Sequence, residues 1–306
     1  MKRIPIIIDT DPGVDDFFCL ALACAYDDRF DLRGVCAMGG NHRTDVTTRN
    51  ALDILALFGK THVPVARGAE RYLHAEFGEP VTRFHGENGL GNVTIPHSDR
   101  QADLLPAWEL LYQAAKACAG ELVLVTAAPL TNVALALQKH PELPSYLKKI
   151  VTMGGSTTAG NISAYAEANV GHDAAAAKQV FSCGVPVDMI GLNVTKTCPI
   201  RPDVFERCSP TPNGTLETVM RQLLAFRNDE AMHDAVAIAT LIDEDMATWE
   251  RGTIEVITDD SIRAGQTVLH PSEEGVCRVA TVVDHDRYDA VIGGMLRRLR
   301  PENGSN

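Results

Sequence analysis

Five short apolar runs, at residues 4–8, 32–37, 122–125, 150–153 and 185–190, alternate with amphipathic stretches at 15–25, 44–58, 106–119, 131–140 and 174–183. Each run is β-branched or continuously apolar, as a strand covered on both faces must be. Strands of that kind separated by helices predict βαβ units, and so an α/β fold with an open, mostly parallel β-sheet flanked by helices. Such a sheet binds ligands at the carboxyl ends of its strands.

The rhythm breaks twice. Residues 68–103 are rich in Gly, Pro, His and Asn, and the stretch is too long for a plain connector, which predicts a functional loop or lid. From residue 215, two helical stretches (216–227 and 233–242) precede strand-like runs at 253–257, 267–270 and 276–283 and a last helix over 288–299. Only the short 209–214 stretch reads as a linker, so this part is expected to be a C-terminal extension of a single domain spanning 1–306.

Composition narrows the function classes. Hydrophobic residues at 45% and charged residues at 22% describe a globular chain that can bury a core. A net charge of -12 argues against nucleic acid as partner, because nonspecific affinity there comes from Lys and Arg on phosphates. Eight cysteines without a CxxC pair predict reduced, packed thiols. The N-terminal apolar run is short and ends in acids, unlike a signal peptide, and no stretch approaches the roughly 18–20 apolar residues of a membrane span. A cytoplasmic protein with no membrane partner is expected.

The densest chemistry lies in IIIDTDPGVDD, where one strand end delivers Asp9, Asp11, Asp15 and Asp16 within eight residues. That much like charge is unfavourable unless a cation balances it. Helix capping accounts for Asp15 or Asp16 alone, not for all four. An EF-hand starting at Asp9 would need Gly and Glu where Val14 and Leu20 stand. The strand and Asp9-Thr10-Asp11 also suggest a haloacid dehalogenase phosphatase, but Gly13 stands where that family has Thr or Val, and Asp15 and Asp16 would have no role.

Taken whole, DTDPGVDD resembles the N-terminal signature of the nucleoside hydrolases, of the inosine-uridine preferring type. The likeness continues through Asn41 in GVCAMGGN, His85 in HGENGL, the run TAAPLTNVALAL at 126–137 with Ala127 and Ala128 in place of Thr and Gly, MGG at 153–155, Asn161, Glu167 and Asn169 in GNISAYAEANVGHDAAAA, and HDAVAIA at 233–239. Several motifs in one order are far more specific than any alone.

The resemblance implies a Ca²⁺-dependent ribonucleoside hydrolase that cuts the N-glycosidic bond of purine or pyrimidine nucleosides in nucleoside salvage. Asp11, Asp16, Asp234 and the carbonyl of Ala127 would hold the ion, all with the oxygen donors a hard cation prefers. Asp15, Asn41, Met153, Asn161, Glu167 and Asn169 would bind the substrate, mostly through the ribose hydroxyls. Asp11 would take a proton from the metal-bound water, and His233, or His85 on the lid, would protonate the departing base. A homodimer or homotetramer is also implied. GLNVTK at 191–196 departs from the family's GLDVTH and is expected to make supporting or subunit contacts. His42, His172, Trp108 and Trp249 have no matched role, so surface or core packing is expected for each. Purine-specific members carry Trp before the last metal-binding Asp, where His233 stands here, which points to a broad or pyrimidine-preferring enzyme. The remaining alternative is a protein that binds ribose or nucleoside without turnover.

Overall fold

Ile6, Ile7 and Ile8 are all fully buried, yet Ile6 and Ile8 pack into one core and Ile7 into another. Successive side chains of a strand point to opposite faces, so a strand that is apolar on every residue must be covered on both. The computed structural model, which describes residues 2–208, 214–228 and 230–299, meets that requirement with helices on both sides of a nine-stranded sheet. Of the 209–214 stretch, only Gly214 belongs to the described residues.

The strands are β1 (Ile4–Thr10), β2 (Phe30–Ala37), β3 (Val65–Arg67), β4 (Leu122–Ala127), β5 (Leu147–Met153), β6 (Val187–Ile190), β7 (Ala247–Val256), β8 (Thr267–Pro271) and β9 (Cys277–Val283). Their order across the sheet is β3-β2-β1-β4-β5-β6-β9-β7-β8. All neighbouring pairs are parallel except those made by β7, which runs antiparallel to β8 and β9. The C-terminal strands therefore continue the sheet through β9, as the sequence pattern suggests.

The helices are α1 (Val14–Ala25), α2 (Thr44–Leu57), α3 (Thr82–His85), α4 (Ala107–Cys118), α5 (Thr131–Lys139), α6 (Ala168–Gly171), α7 (Ala174–Phe181), α8 (Leu192–Thr195), α9 (Pro202–Cys208), α10 (Thr215–Arg227), α11 (His233–Ile242) and α12 (His285–Arg298). One face of the sheet is covered by α1, α2, α11 and α12, the other by α4, α5 and α7. The periodic stretches match these elements to within a few residues. The departures are short or half-exposed elements: β3 and the helices α3, α6, α8 and α9, of three to seven residues, are too short to show a pattern, and β7 begins six residues before the run at 253–257 because its first half is half-exposed. Among the described residues all eight cysteines are free, and no helix is long and apolar enough to cross a membrane.

Candidate active site

Strand β1 ends at Thr10, and α1 starts at Val14 on the same side of the sheet as Ile6 and Ile8. The tight turn between them puts Asp15 and Asp16 in the first turn of α1, where free backbone N–H groups and the helix dipole favour negative charge. Helix α11 packs against α1 and places Asp234 in its own first turn. Two helix N-termini thus aim carboxylates at one point. Among the described residues, Asp15, Asp16 and Asp234 bring oxygens within 4.8 Å of one another, and all three are buried.

Asp16 and Asp11 are held by fixed donors. Asp16 accepts from Gly13 N–H at 2.9 Å and from the Thr10 hydroxyl. Asn41 N–H donates to Asp11 Oδ2 at 2.7 Å, and the Asn41 side-chain amide donates to the Asp11 carbonyl and to Asp16 Oδ2, both at 3.1 Å. A Cβ at Gly40 would collide with Asp11 Oδ2 and one at Gly13 with His85 Nδ1, so both turns need glycine for close approach. Burial, then the repulsion of neighbouring carboxylates, pushes Asp11 and Asp234 well above the usual carboxylate range and Asp16 up to about 7. Asp15 goes the other way: burial raises it, but Arg227, His85 and His233 more than offset that. Its Oδ1 has no hydrogen-bond partner.

Asp9 is separate from this group. Strand alternation turns it to the opposite face, where it is fully buried and accepts from Asn132 Nδ2 at 2.8 Å. Burial raises its pKa to about 7. The expectation of four carboxylates at one point is corrected: Asp15 and Asp16 are the two from this motif that group with Asp234, Asp11 lines the same cavity, and Asp9 is turned away onto Asn132.

A cavity of about 580 Å³ opens over the acids. Asp11, Asp15, Asn41, His85, Ala127, Met153, Asn161, Glu167, Asn169, His233 and Asp234 all line it, so the structure brings together every expected site residue except Asp16, which lies beneath. Glu167 caps α6, accepting from Asn169 N–H at 2.9 Å, Val170 N–H at 3.1 Å and Gly155 N–H at 2.8 Å; burial raises its pKa to about 7. Asn169 donates to the Met153 carbonyl at 3.1 Å, and Asn161 Oδ1 accepts from Ala168 N–H at 2.9 Å. His85 ends the single turn α3 within the long 68–103 stretch, and its Nδ1 accepts from Val14 N–H at 3.2 Å, which leaves the ring proton on Nε2. Burial lowers its pKa to about 4. His233 is likewise lowered, chiefly by burial, and shares a 2.8 Å hydrogen bond with the Thr195 hydroxyl.

The 191–196 segment makes a supporting contact of the kind expected, Thr195 holding His233, and its Leu192 and Lys196 also line the cavity. One expectation needs correction. His172 also lines the cavity, stacked on Tyr72 at 5.7 Å, because the short helix α6 swings it there. Sequence reasoning missed Phe84 and Arg227 altogether. A single aromatic in an aperiodic loop and an Arg in a helix's last turn are both ordinary surface features, so neither gave a signal.

The inosine-uridine preferring nucleoside hydrolase family matches residues 6–290. The chain belongs to that family. It is 35% identical over 275 residues to the pyrimidine-specific ribonucleoside hydrolase RihA of Photobacterium profundum, covering 87% of this chain and 88% of the relative. RihA of Escherichia coli O9:H4 (strain HS) is 34% identical over 277 residues, with the same coverage. Among solved structures, a plant nucleoside hydrolase superposes with a TM-score of 0.88 at 28% identity, over 97% of this chain and 99% of the other. A purine-preferring ribonucleoside hydrolase from Gardnerella vaginalis gives 0.88 at 29% identity, over 96% and 99%. The protein is thus an N-glycosyl hydrolase of the nucleoside hydrolase family, with a buried aspartate group able to bind a metal ion. The phosphatase alternative falls with this assignment, and the burial of Asp9 removes its nucleophile.

Proposed function

We propose that the chain hydrolyses ribonucleosides in nucleoside salvage, with pyrimidine nucleosides among its substrates, and that it does so with Ca²⁺. The observation that carries this is the convergence of three buried carboxylates, Asp15, Asp16 and Asp234, at the floor of the cavity. The donors are all oxygen, and burial with mutual repulsion raises the pKa values of Asp11, Asp16 and Asp234, which supports a hard divalent cation as the balancing charge. Asp16 and Asp234, two of the three grouped carboxylates, would hold it together with Asp11 and the Ala127 carbonyl, which line the same cavity; Asp15 is the third member of the group. When bound, the cation supplies an electrophilic anchor for water and for the ribose diol.

The protein's own groups account for the rest. Asp11 Oδ2 is tied to Asn41, so Asp11 Oδ1 is the oxygen that takes a proton from the attacking water. Glu167, with both oxygens fixed by backbone donors, and Asn161 and Asn169 orient the sugar. The C–N bond breaks through an oxocarbenium-like state, as in other glycoside hydrolyses. The neutral imidazoles of His85, through Nε2, and His233 stand where they can hydrogen-bond the departing base. The whole chain is read as one cytoplasmic domain, assembling as a homodimer or homotetramer.

Purified protein incubated with uridine, cytidine, inosine and adenosine should release free ribose from at least one pyrimidine nucleoside. Ribose release from none of the four would refute the proposal, and tight ribose binding without turnover would favour a binding protein instead.

A further inference from the structure

Two basic side chains line the cavity, Lys196 and Arg227. Lys196 is exposed, whereas Arg227 is 5% exposed. A buried guanidinium is held rigidly and is weakly screened, so its field on anything in the cavity is strong. It comes from the last turn of α10 and touches three segments at once. Nη2 donates to the Ala231 carbonyl at 2.8 Å, just before His233, and Nη1 to the Phe84 carbonyl at 3.5 Å, on the lid. Its Cζ lies 5.8 Å from the Phe84 ring centre. Asp15 Oδ1 is 3.9 Å from Nη1, beyond hydrogen-bond range, and Nε lies 3.4 Å from the exposed Glu230 without making a hydrogen bond. Two of its five N–H donors are therefore committed to carbonyls.

The charges in the cavity are unevenly placed. The carboxylates gather at the strand ends and the first turns of α1 and α11, where the sugar and cation belong, while Arg227 stands at the edge of that group, 3.9 Å from Asp15 and 3.4 Å from Glu230, beside the aromatic Phe84. Resting on the proposed hydrolase function, we propose that Arg227 is a catalytic residue that stabilises the nucleobase as it leaves with negative charge. In that step the water oxygen bonds C1′ and one water proton passes to Asp11. The C1′–N electron pair stays on the base, which leaves as an anion paired with Arg227 and then takes up one proton, returning the charge balance when Asp11 releases its own. A fixed cation suits pyrimidines such as uracil, whose ring nitrogen and carbonyl oxygens share the charge.

The test compares Arg227→Gln and Arg227→Lys in the full-length, calcium-loaded enzyme, using single-turnover rates on uridine and on p-nitrophenyl riboside. The nitrophenolate is stable without help. Arg227→Gln should lose about 10² to 10³-fold on uridine, the range for removing one preorganised electrostatic donor, and less than about tenfold on p-nitrophenyl riboside. Arg227→Lys should fall between on uridine. Equal loss on both substrates, or an unchanged uridine rate, would overturn the proposal. If Arg227→Gln does not fold, Arg227→Lys decides alone: its uridine to p-nitrophenyl riboside rate ratio must drop below that of the wild type, and an unchanged ratio overturns it. Calorimetry on metal-free protein gives an independent readout, with 5-nitrouracil, an anion at neutral pH, binding wild type more tightly than uracil and Arg227→Gln showing no such preference. Equal binding of the two pyrimidines by wild type counts against the proposal. A wild-type enzyme inert on both ribosides would instead sink the hydrolase reading itself.

Discussion

Two buried aspartate sites in the same sheet are built on opposite principles. At β6, Asp188 is 4% exposed and meets Lys149 Nζ at 2.8 Å and the Arg278 guanidinium at 2.7 and 2.8 Å, with Arg278 directly across on β9. Burial would raise its pKa, but Arg278 and Lys149 more than offset that and hold it below the usual range. At the β1 end, Asp11, Asp16 and Asp234 are buried without a side-chain cation of their own, Asp11 and Asp16 accepting hydrogen bonds, and the pKa values of all three rise. A charge the chain neutralises itself stabilises the fold. A charge deficit it leaves in place marks where a ligand ion belongs.

The largest expected effect breaks the β1 site. Asp11→Asn should reduce the rate on uridine by about 10² to 10⁴-fold, the typical worth of a general base, while the metal-free variant melts no lower than metal-free wild type, because a repulsive charge is gone. A large loss of metal-free stability would mean that Asp11 is a structural acid like Asp188.

Removing the metal comes next. At a calcium concentration near 100 Kd, chelation should lower stability by about 2.7 kcal/mol, read as a drop in Tm. The pH dependence of the chelated protein has a definite sign. Glu167 ionises near 4.5 when unfolded and near 7 when folded, so the native state binds the extra proton in that window. The contribution of Glu167 to stability is therefore greatest below pH 4.5 and is lost as pH rises through about 7, so Glu167→Gln should remove that part of the slope. A chelated Glu167→Gln variant with the same pH slope as chelated wild type between pH 4.5 and about 7 contradicts the charge-deficit account.

The smallest effect sharpens the other side of the comparison. Asp188→Asn leaves Lys149 and Arg278 facing each other, and should lower stability by about 1–3 kcal/mol, discounted because both cations keep about a quarter of their side-chain surface exposed. Its calcium affinity and its kcat on uridine should match the wild type. A change in either would show that the two sites are coupled through β5 and β6.

The sequence by itself determined the α/β architecture, because five runs apolar on every residue can be satisfied only by a sheet covered on both faces. It also determined that Asp11, Asp15 and Asp16 share a turn, since a strand, a Pro-Gly turn and a helix start leave them little freedom. Motif order carried Asn41, His85, Glu167, Asn169, His233 and Asp234, which are local patterns even though their meeting is not. Only the tertiary structure decided that Asp9 turns away, that Thr195 holds His233, and that Arg227 lies inside the cavity. A side chain's environment depends on what packs against it from distant parts of the chain, and Arg227 meets Phe84, 143 residues away, only after the lid and α10 have docked.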